Sequence, residues 1–453
     1  MKRKLIYLVF ATLICSMTFA QNLLSPPKII SSVPEFGNCE VDTGAFDIII
    51  RFDQDMNKGM TFSNSPNLPE LIGKPKWIDS RTLSLPAKLY ENKIYSLVLN
   101  QAFPKGFSSR LGTILNPDEL MFKTKSYSKD QKQAKQNKKA YKEFIKLFPK
   151  EYSYASTKGI DWNEVIKQNR NELENSKSSS AFAIKMVKAL RIAEDSHLSV
   201  EYEGQRFETK YLNVVEYNYN LKDVFGILGD IKINTTTSNF AGIIDSIGYI
   251  FISTWMSDPD NLKYITFGDT TGLENSFDEI LSILAKLPYL IIDVRSNSGG
   301  NEAFAKNFAS RFINKSTPYE KVKIYNSKKG EFDILVTKFI EPNAKQMNYS
   351  GNIYVLSGPS VYSSNESFIL MMKQVPNAKV IGMKTYGGSG NPVSHTLSNG
   401  VTINLPSWQA YSLDGKLIEG NGVEPDIEIK TTKKDFSTKD TLFESVLMRI
   451  GSL

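Results

Sequence analysis

Ser363 stands at a serine-rich corner in IYVLSGPSVYSSNESFILMMKQV, between a predicted strand and a predicted helix. Hydrolytic enzymes of the α/β class present a nucleophilic serine at this kind of corner. A serine hydroxyl attacks a carbonyl only when a base takes its proton, and the resulting oxyanion needs hydrogen-bond donors. The spacing from Ser363 to Glu366 is also that of a helix capping box, so a purely structural role is the competing interpretation.

The sequence contains two histidines, His197 and His395, and His197 is a candidate base. His197 follows Asp195 and Ser196 at the end of a predicted helix. Imidazole, with an unperturbed pKa of ~6.5, suits proton transfer near neutrality. The competing interpretation of His197 is a surface residue that interacts with the last carbonyls of the helix. We expect His395, in NPVSHTL, to be structural or exposed.

The glycines of SNSGG follow the predicted strand YLIIDV and could approach a substrate without a Cβ in the way. We predict that Gly299 or Gly300 supplies one backbone donor to the oxyanion and that the amide of Ser364 supplies the other. A tight strand-to-helix turn also needs glycines, and the two roles are compatible.

The N-terminal residues have the layout of a secretory signal. Lys2, Arg3 and Lys4 precede an apolar run, and small residues follow before Gln21, so residues 1–20 are the predicted signal. The run is shorter than the ~20 residues that span a bilayer, and no later segment is long enough. We therefore expect an exported protein, periplasmic or extracellular, without a membrane span.

Composition restricts the partners of the chain. The formal charge of +7 becomes +4 without the signal (7 − 3), which is too small to predict nucleic-acid binding. Removal of Cys15 with the signal leaves Cys39 alone, so we expect no intramolecular disulfide. No His, Cys and Glu cluster has the spacing of a zinc site, and we expect neither a metal nor another cofactor.

The 453 residues predict a multidomain fold. Short β-type runs between turn residues predict an all-β sandwich over residues 25–126. Apolar residues at three- and four-residue spacing predict a helical subdomain over 127–205, which ends at the Ser-His pair. Strands and helices alternate over 206–432, which predicts an α/β core with a largely parallel sheet, followed by a C-terminal segment over 433–453.

Four ordered motifs resemble the tail-specific, or C-terminal processing, serine protease family: YLIIDVRSNSGGN, GPSVYSSNES, VIGMKTYGGSGNP and IEGNGVEPDIEI. The resemblance covers roughly residues 141–429 and implies a crotonase-like core with Ser363 as the nucleophile and Glu366 in support. The β-rich N-terminal region resembles bacterial Ig-like modules, which implies a spacer or an element that docks to an envelope partner.

The resemblance also bears on the base. One branch of the family uses a lysine in the Gly-rich turn, but the matching position here is Gly388, and Lys384 lies four residues earlier. The tricorn-like branch uses a Ser-His pair, which matches Ser196 and His197, and a glutamate before a Gly-Val-x-Pro-Asp turn, which matches Glu419. The resemblance therefore implies a Ser-His-Ser-Glu tetrad.

The leading hypothesis is an exported serine endopeptidase that acts on a peptide or protein substrate. A catalytically inactive envelope protein that binds peptides or hydrophobic ligands is one alternative, because the turn lysine is missing and the interval from Leu198 to Asp245 is too short for the PDZ module of many relatives. A Ser-Lys hydrolase that uses Lys384 is the other.

Overall fold

The computed structural model forms two compact units, Met1–Lys146 with Ile160–Val214 and Ser394–Asn404, and Leu147–Gly159 with Val215–Val393 and Leu405–Leu453. The residues it describes are 25–62, 67–100, 106–125, 131–210, 218–228, 232–234, 239–256, 271–343, 349 and 351–451. The predicted signal lies outside them. No helix in these ranges is both long and apolar enough to cross a membrane.

Strands provide most of the regular elements of the described residues. In chain order they are β1 (Ile29–Val33), β2 (Gly44–Phe52), β3 (Glu70–Leu71), β4 (Lys76–Trp77), β5 (Thr82–Leu89), β6 (Ile94–Leu99), β7 (Asp118–Lys123), β8 (Ser199–Tyr202), β9 (Gln205–Glu208), β10 (Lys232–Asn234), β11 (Asn239–Ile244), β12 (Ile247–Ile252), β13 (Tyr289–Asp293), β14 (Thr317–Asn326), β15 (Glu331–Ile340), β16 (Asn352–Ser357), β17 (Ala378–Gly382), β18 (Pro392–Thr396), β19 (Thr402–Pro406), β20 (Trp408–Tyr411) and β21 (Ile427–Glu428). The α-helices are α1 (Gln131–Glu151), α2 (Trp162–Glu174), α3 (Ser179–Leu190), α4 (Leu221–Leu228), α5 (Thr271–Leu284), α6 (Glu302–Ala309), α7 (Ser364–Met372) and α8 (Thr441–Gly451).

The N-terminal part of the first unit consists of two antiparallel sheets that share one apolar core. One sheet has the order β1-β2-β5-β3, with β4 also paired to β5, and the other is the β6-β7 pair. Side chains alternate along β2, where Ile48, Ile50 and Phe52 are buried and the intervening residues are more exposed. The Ig-like identity of this part stays a prediction.

The helical part of the first unit leads directly to the predicted Ser-His pair. Helix α3 begins at a Ser178 cap, whose hydroxyl accepts a hydrogen bond from the N–H of Ala181, and it buries most of its apolar side chains. After a short 3₁₀ turn, Glu194 adopts a left-handed conformation that ends the helical path. Strand β8 follows and pairs with β9 and β19, so the residues between Glu194 and Ser199 are held at both ends.

A seven-stranded sheet organises the second unit, in the order β10-β11-β12-β13-β16-β17-β21. The pairings from β12 to β21 are parallel, whereas β10, β11 and β12 pair antiparallel. Parallel pairing places the carboxyl ends of β13, β16 and β17 at one edge of the sheet. The loops after these strands, which contain the predicted glycines, Ser363 and the Gly-rich turn, therefore begin side by side.

Helices cover both faces of this sheet. Alternate residues such as Ile250 and Ile292 pack with α5, α6 and α7 in one core cluster. Tyr249 and Ile291, from the opposite face of the same strands, pack with α4 and α8 in another. Burial on both faces explains why these strands consist of continuous apolar runs.

A fully buried ion cluster fixes the end of β13. The Arg295 guanidinium donates to both oxygens of Asp293, at 2.9 and 2.6 Å, and to both oxygens of Asp440, at 2.8 and 3.0 Å. All three side chains are inaccessible to solvent. Asp440 directly precedes α8, so the cluster joins the C-terminal helix to the strand that leads into the glycine loop.

We predict that Arg295→Met lowers the free energy of unfolding by about 3–5 kcal/mol, because it leaves two buried carboxylates without their cation. The measurement is urea denaturation, with Arg206→Met as the control. Arg206 forms a partly exposed ion pair with Glu208, so its loss should cost at most about 0.5 kcal/mol. Equal effects of the two substitutions would contradict the importance of the buried cluster.

Candidate active site

Ser363 occupies a strained position between β16 and α7. Its backbone has φ 57° and ψ −129°, a conformation that costs energy for a residue with a Cβ. Its hydroxyl makes no capping hydrogen bond to α7, and its N–H donates to the carbonyl of Gly388 at 3.1 Å. The capping-box interpretation is therefore wrong, because neither half of that reciprocal bond forms. This geometry is typical of a serine presented for reaction.

The Glu366 carboxylate instead holds the Gly-rich turn. One oxygen accepts hydrogen bonds from Thr385 Oγ1 at 2.5 Å and from the N–H of Gly387 at 2.8 Å, and the other accepts from the N–H of Gly388 at 2.7 Å. The N–H of Val423 donates to Thr385 Oγ1, which orients the hydroxyl proton toward Glu366. Burial raises the pKa of Glu366 to about 8 despite these donors.

The same turn leaves no space for a lysine at position 388. A Cβ built on Gly388 would lie 1.9 Å from Cε2 of Tyr362, the neighbour of Ser363. Lys384, the alternative base, is half exposed and forms an ion pair with Glu424 at 3.6 Å.

The glycine loop after β13 lies against the corner that carries Ser363. A Cβ on Gly299 would lie 2.9 Å from Cβ of Ser363 and 2.8 Å from the carbonyl oxygen of Tyr362, so only glycine fits. The N–H of Gly299 already donates to Asn297 Oδ1 at 2.7 Å. Within the described residues, the N–H groups of Gly300 and Ser364 donate no hydrogen bond to the protein. For Ser364 this follows from its place in the first turn of α7.

The Glu419 side chain is hydrogen-bonded to the Gly-rich turn, although it lies 30 residues after Ser389 in the chain. One oxygen accepts from the N–H of Ser389 at 3.2 Å, and the other accepts from Lys158 Nζ at 2.8 Å. The side chains of Glu419 and Lys158 are 10% and 16% exposed, so this ion pair is largely shielded from solvent. The second unit thus brings together Ser363, the two glycines and the three other predicted residues Ser364, Glu366 and Glu419.

Ser196 and His197 belong to the first unit. The side chain of His197 is buried, since the residue is 6% exposed, and its backbone N–H donates to Asp195 Oδ1 at 2.9 Å. The interpretation of His197 as a surface residue is therefore wrong. The hydroxyl of Thr209 donates to the carbonyl of Asp195 and fixes the same turn. His395 is half buried in β18. The predicted pairing of His197 with Ser363 concerns residues of different units and stays a prediction.

Several residues of this site have no signal in the sequence that we recognised. Lys158 is 261 positions from Glu419, and Thr385 stands in the Gly-rich motif without an obvious partner. Asn365, between the predicted Ser364 and Glu366, is fully buried and polar.

Comparisons with known proteins find relatives of the region that contains the parallel sheet. Residues 246–429 match the sequence model of Peptidase family S41. A "Probable CtpA-like serine protease" of Staphylococcus epidermidis (strain ATCC 12228 / FDA PCI 1200) is 29% identical over 164 residues, which cover 35% of this chain and 32% of that protein. A protein of the same name from Staphylococcus aureus (strain COL) is 29% identical over 147 residues, 32% of this chain and 28% of its own. The chain thus matches about a third of the length of these relatives.

Solved structures show the same fold. A candidate peptidase from Parabacteroides merdae ATCC 43184 has a TM-score of 0.57 and 20% identity, and the match covers 70% of this chain and 96% of that chain. Mature CPAF in complex with lactacystin has a TM-score of 0.52 and 13% identity, with 70% and 97% covered. Residues 246–429 thus resemble peptidase family S41, and the curated relatives of this region are named CtpA-like serine proteases.

Proposed function

We propose that this chain is an exported serine endopeptidase in which Ser363 is the nucleophile and His197 the general base. Ser196 and Glu419 orient and stabilise the histidine in this proposal. The observation that supports it most is the strained corner at Ser363, which lies directly against the glycine loop. Strain at a non-glycine residue is retained where surrounding contacts enforce it, and such positions cluster at active sites.

The chemistry follows that of acyl transfer. Ser363 Oγ attacks the peptide carbonyl while His197 accepts the hydroxyl proton, and the tetrahedral intermediate accepts hydrogen bonds from the N–H groups of Gly300 and Ser364. Gly300 is the better donor of the two glycines, because the N–H of Gly299 already donates to Asn297. Proton return to the amine releases the first product, and water then hydrolyses the acyl-enzyme.

The other parts of the chain have supporting roles in the proposal. Residues 1–20 direct export to the periplasm or the cell exterior, and the β-sheets of residues 25–126 form an Ig-like spacer or docking module. The parallel sheet with helices on both faces supports the proposal of a crotonase-like core.

We predict that a fluorophosphonate probe labels the chain at Ser363. Ser363→Ala should abolish labelling and lower kcat for peptide hydrolysis by about four orders of magnitude or more, because the nucleophile is lost. Ser360→Ala is the matched control, since it removes a serine of the same corner, and its labelling should equal that of the wild type. Equal labelling of Ser363→Ala and the wild type would exclude the peptidase proposal, and an unlabelled wild type would favour the inactive ligand-binding alternative.

Two substitutions, measured in the same assay, test which residue is the general base. His197→Ala should lower kcat/KM for a peptide substrate by about four orders of magnitude, since no other group is proposed to take the proton. Lys384→Ala should change it by less than about twofold, because Lys384 is half exposed and paired with Glu424. The reverse pattern would identify a Ser-Lys hydrolase.

Glu366 should make the stability of the chain depend on pH. Its folded pKa of about 8 lies above its ordinary value of 4.5, so the folded state binds this proton more tightly than the unfolded state does. The contribution of Glu366 to stability is therefore greatest below pH 4.5 and falls as the pH rises to about 8. We expect the free energy of unfolding of the wild type, minus that of Glu366→Gln, to fall by several kcal/mol from pH 5 to pH 8.5. A difference that is constant in urea titrations across this range would contradict the raised pKa.

A further inference from the structure

Asn365 is a buried polar side chain that the proposed reaction does not use. It follows Ser364 in the first turn of α7 and is inaccessible to solvent. Its Nδ2 donates to the carbonyl oxygens of Val294 at 3.1 Å and Asn297 at 3.0 Å, and its Oδ1 accepts from Trp255 Nε1 at 2.8 Å. Every bonding group of this amide except one lone pair is thus directed at a specific partner.

These partners fix the orientation of the amide. Two carbonyl oxygens can bond only to the NH₂ group, and the indole N–H can bond only to the amide oxygen. A side chain held in this way and closed off from water behaves as a rigid bridge, because each broken bond would leave a buried polar group unsatisfied.

The bridge joins the helix that carries Ser364 to the loop that carries the glycines. The backbone carbonyl of Asn297 accepts a hydrogen bond from Asn365, and its side-chain Oδ1 accepts one from the N–H of Gly299 at 2.7 Å. The backbone of Trp255 flanks the same loop, since its N–H donates to the carbonyl of Gly299 and its carbonyl accepts from Asn301, both at 2.9 Å. Gly300 therefore stands between residues that are all bonded, directly or through one neighbour, to Asn365.

We infer that Asn365 is the positioning residue of the oxyanion site, and this inference rests on the proposed function. Its side chain sets the separation between the N–H of Ser364 and the N–H of Gly300 so that both point at one oxygen atom. The two donors belong to different elements, the start of α7 and the loop after β13, and Asn365 bonds the first element to the second. Displacement of a donor by about 1 Å costs about 10²-fold in rate, so a bridge of this kind affects turnover.

The decisive variant is Asn365→Asp, which keeps the shape of the side chain and replaces the NH₂ donor by a carboxylate oxygen that faces two carbonyl oxygens. We expect kcat for a peptide substrate to fall about 10²-fold, as for the loss of one oxyanion donor, with KM changed by less than about threefold. The second-order rate of fluorophosphonate labelling and the affinity for a peptide aldehyde should fall by a similar factor, because both adducts place an oxygen in the oxyanion site.

Asn377→Asp is the matched control. The Nδ2 of Asn377 also donates to two backbone carbonyls, those of Tyr349 and Gly351, next to the start of β16 and away from the glycine loop. The variant Asn377→Asp should lower the midpoint of thermal unfolding, as Asn365→Asp does. It should leave kcat, the rate of labelling and the affinity for the aldehyde unchanged. Trp255→Phe provides a second variant that removes the indole donor together with part of the buried ring, and we expect kcat to fall about tenfold at constant KM.

The outcomes separate this inference from the function on which it rests. Wild-type rates in Asn365→Asp, or in Trp255→Phe if Asn365→Asp does not fold, would overturn the positioning role and leave the peptidase proposal intact. The same would follow from an effect on KM alone, or from an equal loss of kcat in Asn377→Asp. A wild-type chain that neither reacts with the probe nor cleaves peptides would overturn the proposed function and this inference together.

Discussion

The close approach of Gly299 to Ser363 is the constraint around which the candidate site is built. No side chain fits between the two segments, because a Cβ at position 299 would lie 2.9 Å from Cβ of Ser363. This contact depends on parallel strands whose carboxyl ends share one edge of the sheet. It also depends on Ser363 accepting a positive φ, since the turn must present the hydroxyl and then begin α7 at once.

The Gly-rich turn is held against this contact by a carboxylate. Glu366 bonds to Gly387 and Gly388 from within α7, and the N–H of Ser363 bonds back to the carbonyl of Gly388. The turn is therefore bonded once to Ser363 itself and twice to the helix that follows it, through Glu366. The ring of Tyr362 occupies the space where a side chain at position 388 would project. Packing of the Tyr362 ring beside Ser363 thus accounts for a glycine at position 388.

Local pattern in the sequence predicted the elements and the motif positions of the site. The alternation of apolar strands with helices indicated the parallel sheet, and the Ser-x-x-Glu and Gly-Gly spacings indicated where the corner and the loop lie. The same spacing left the partners of Glu366 open, because a capping box and a carboxylate that binds a distant turn have the same local sequence. The partners that decide between them, Thr385, Gly387 and Gly388, are about 20 residues further along the chain.

Long-range polar partners were unpredictable for the same reason. Lys158 pairs with Glu419 across 261 positions, and Arg295 pairs with Asp440 across 145. A single sequence does not show which buried charged residues form ion pairs with each other. What it does indicate is that a charged or amide side chain within an apolar stretch needs a partner, because an unpaired one would cost several kcal/mol. Arg295, directly after YLIIDV, indicates such a need, whereas Asn365 stands among polar neighbours and gives no such indication.

Several features that raise the free energy of the folded state lie at one edge of the sheet. Ser363 is strained, Glu366 is buried with a raised pKa, and Asp293 and Asp440 are fully buried acids beside one arginine. Each of these features would destabilise an isolated segment by a few kcal/mol. They persist because apolar clusters cover both faces of the sheet and leave the loops little freedom to relax. The same packing that tolerates the strain also fixes the N–H groups of Gly300 and Ser364, so rigidity and preorganisation of these proposed oxyanion donors have one physical origin.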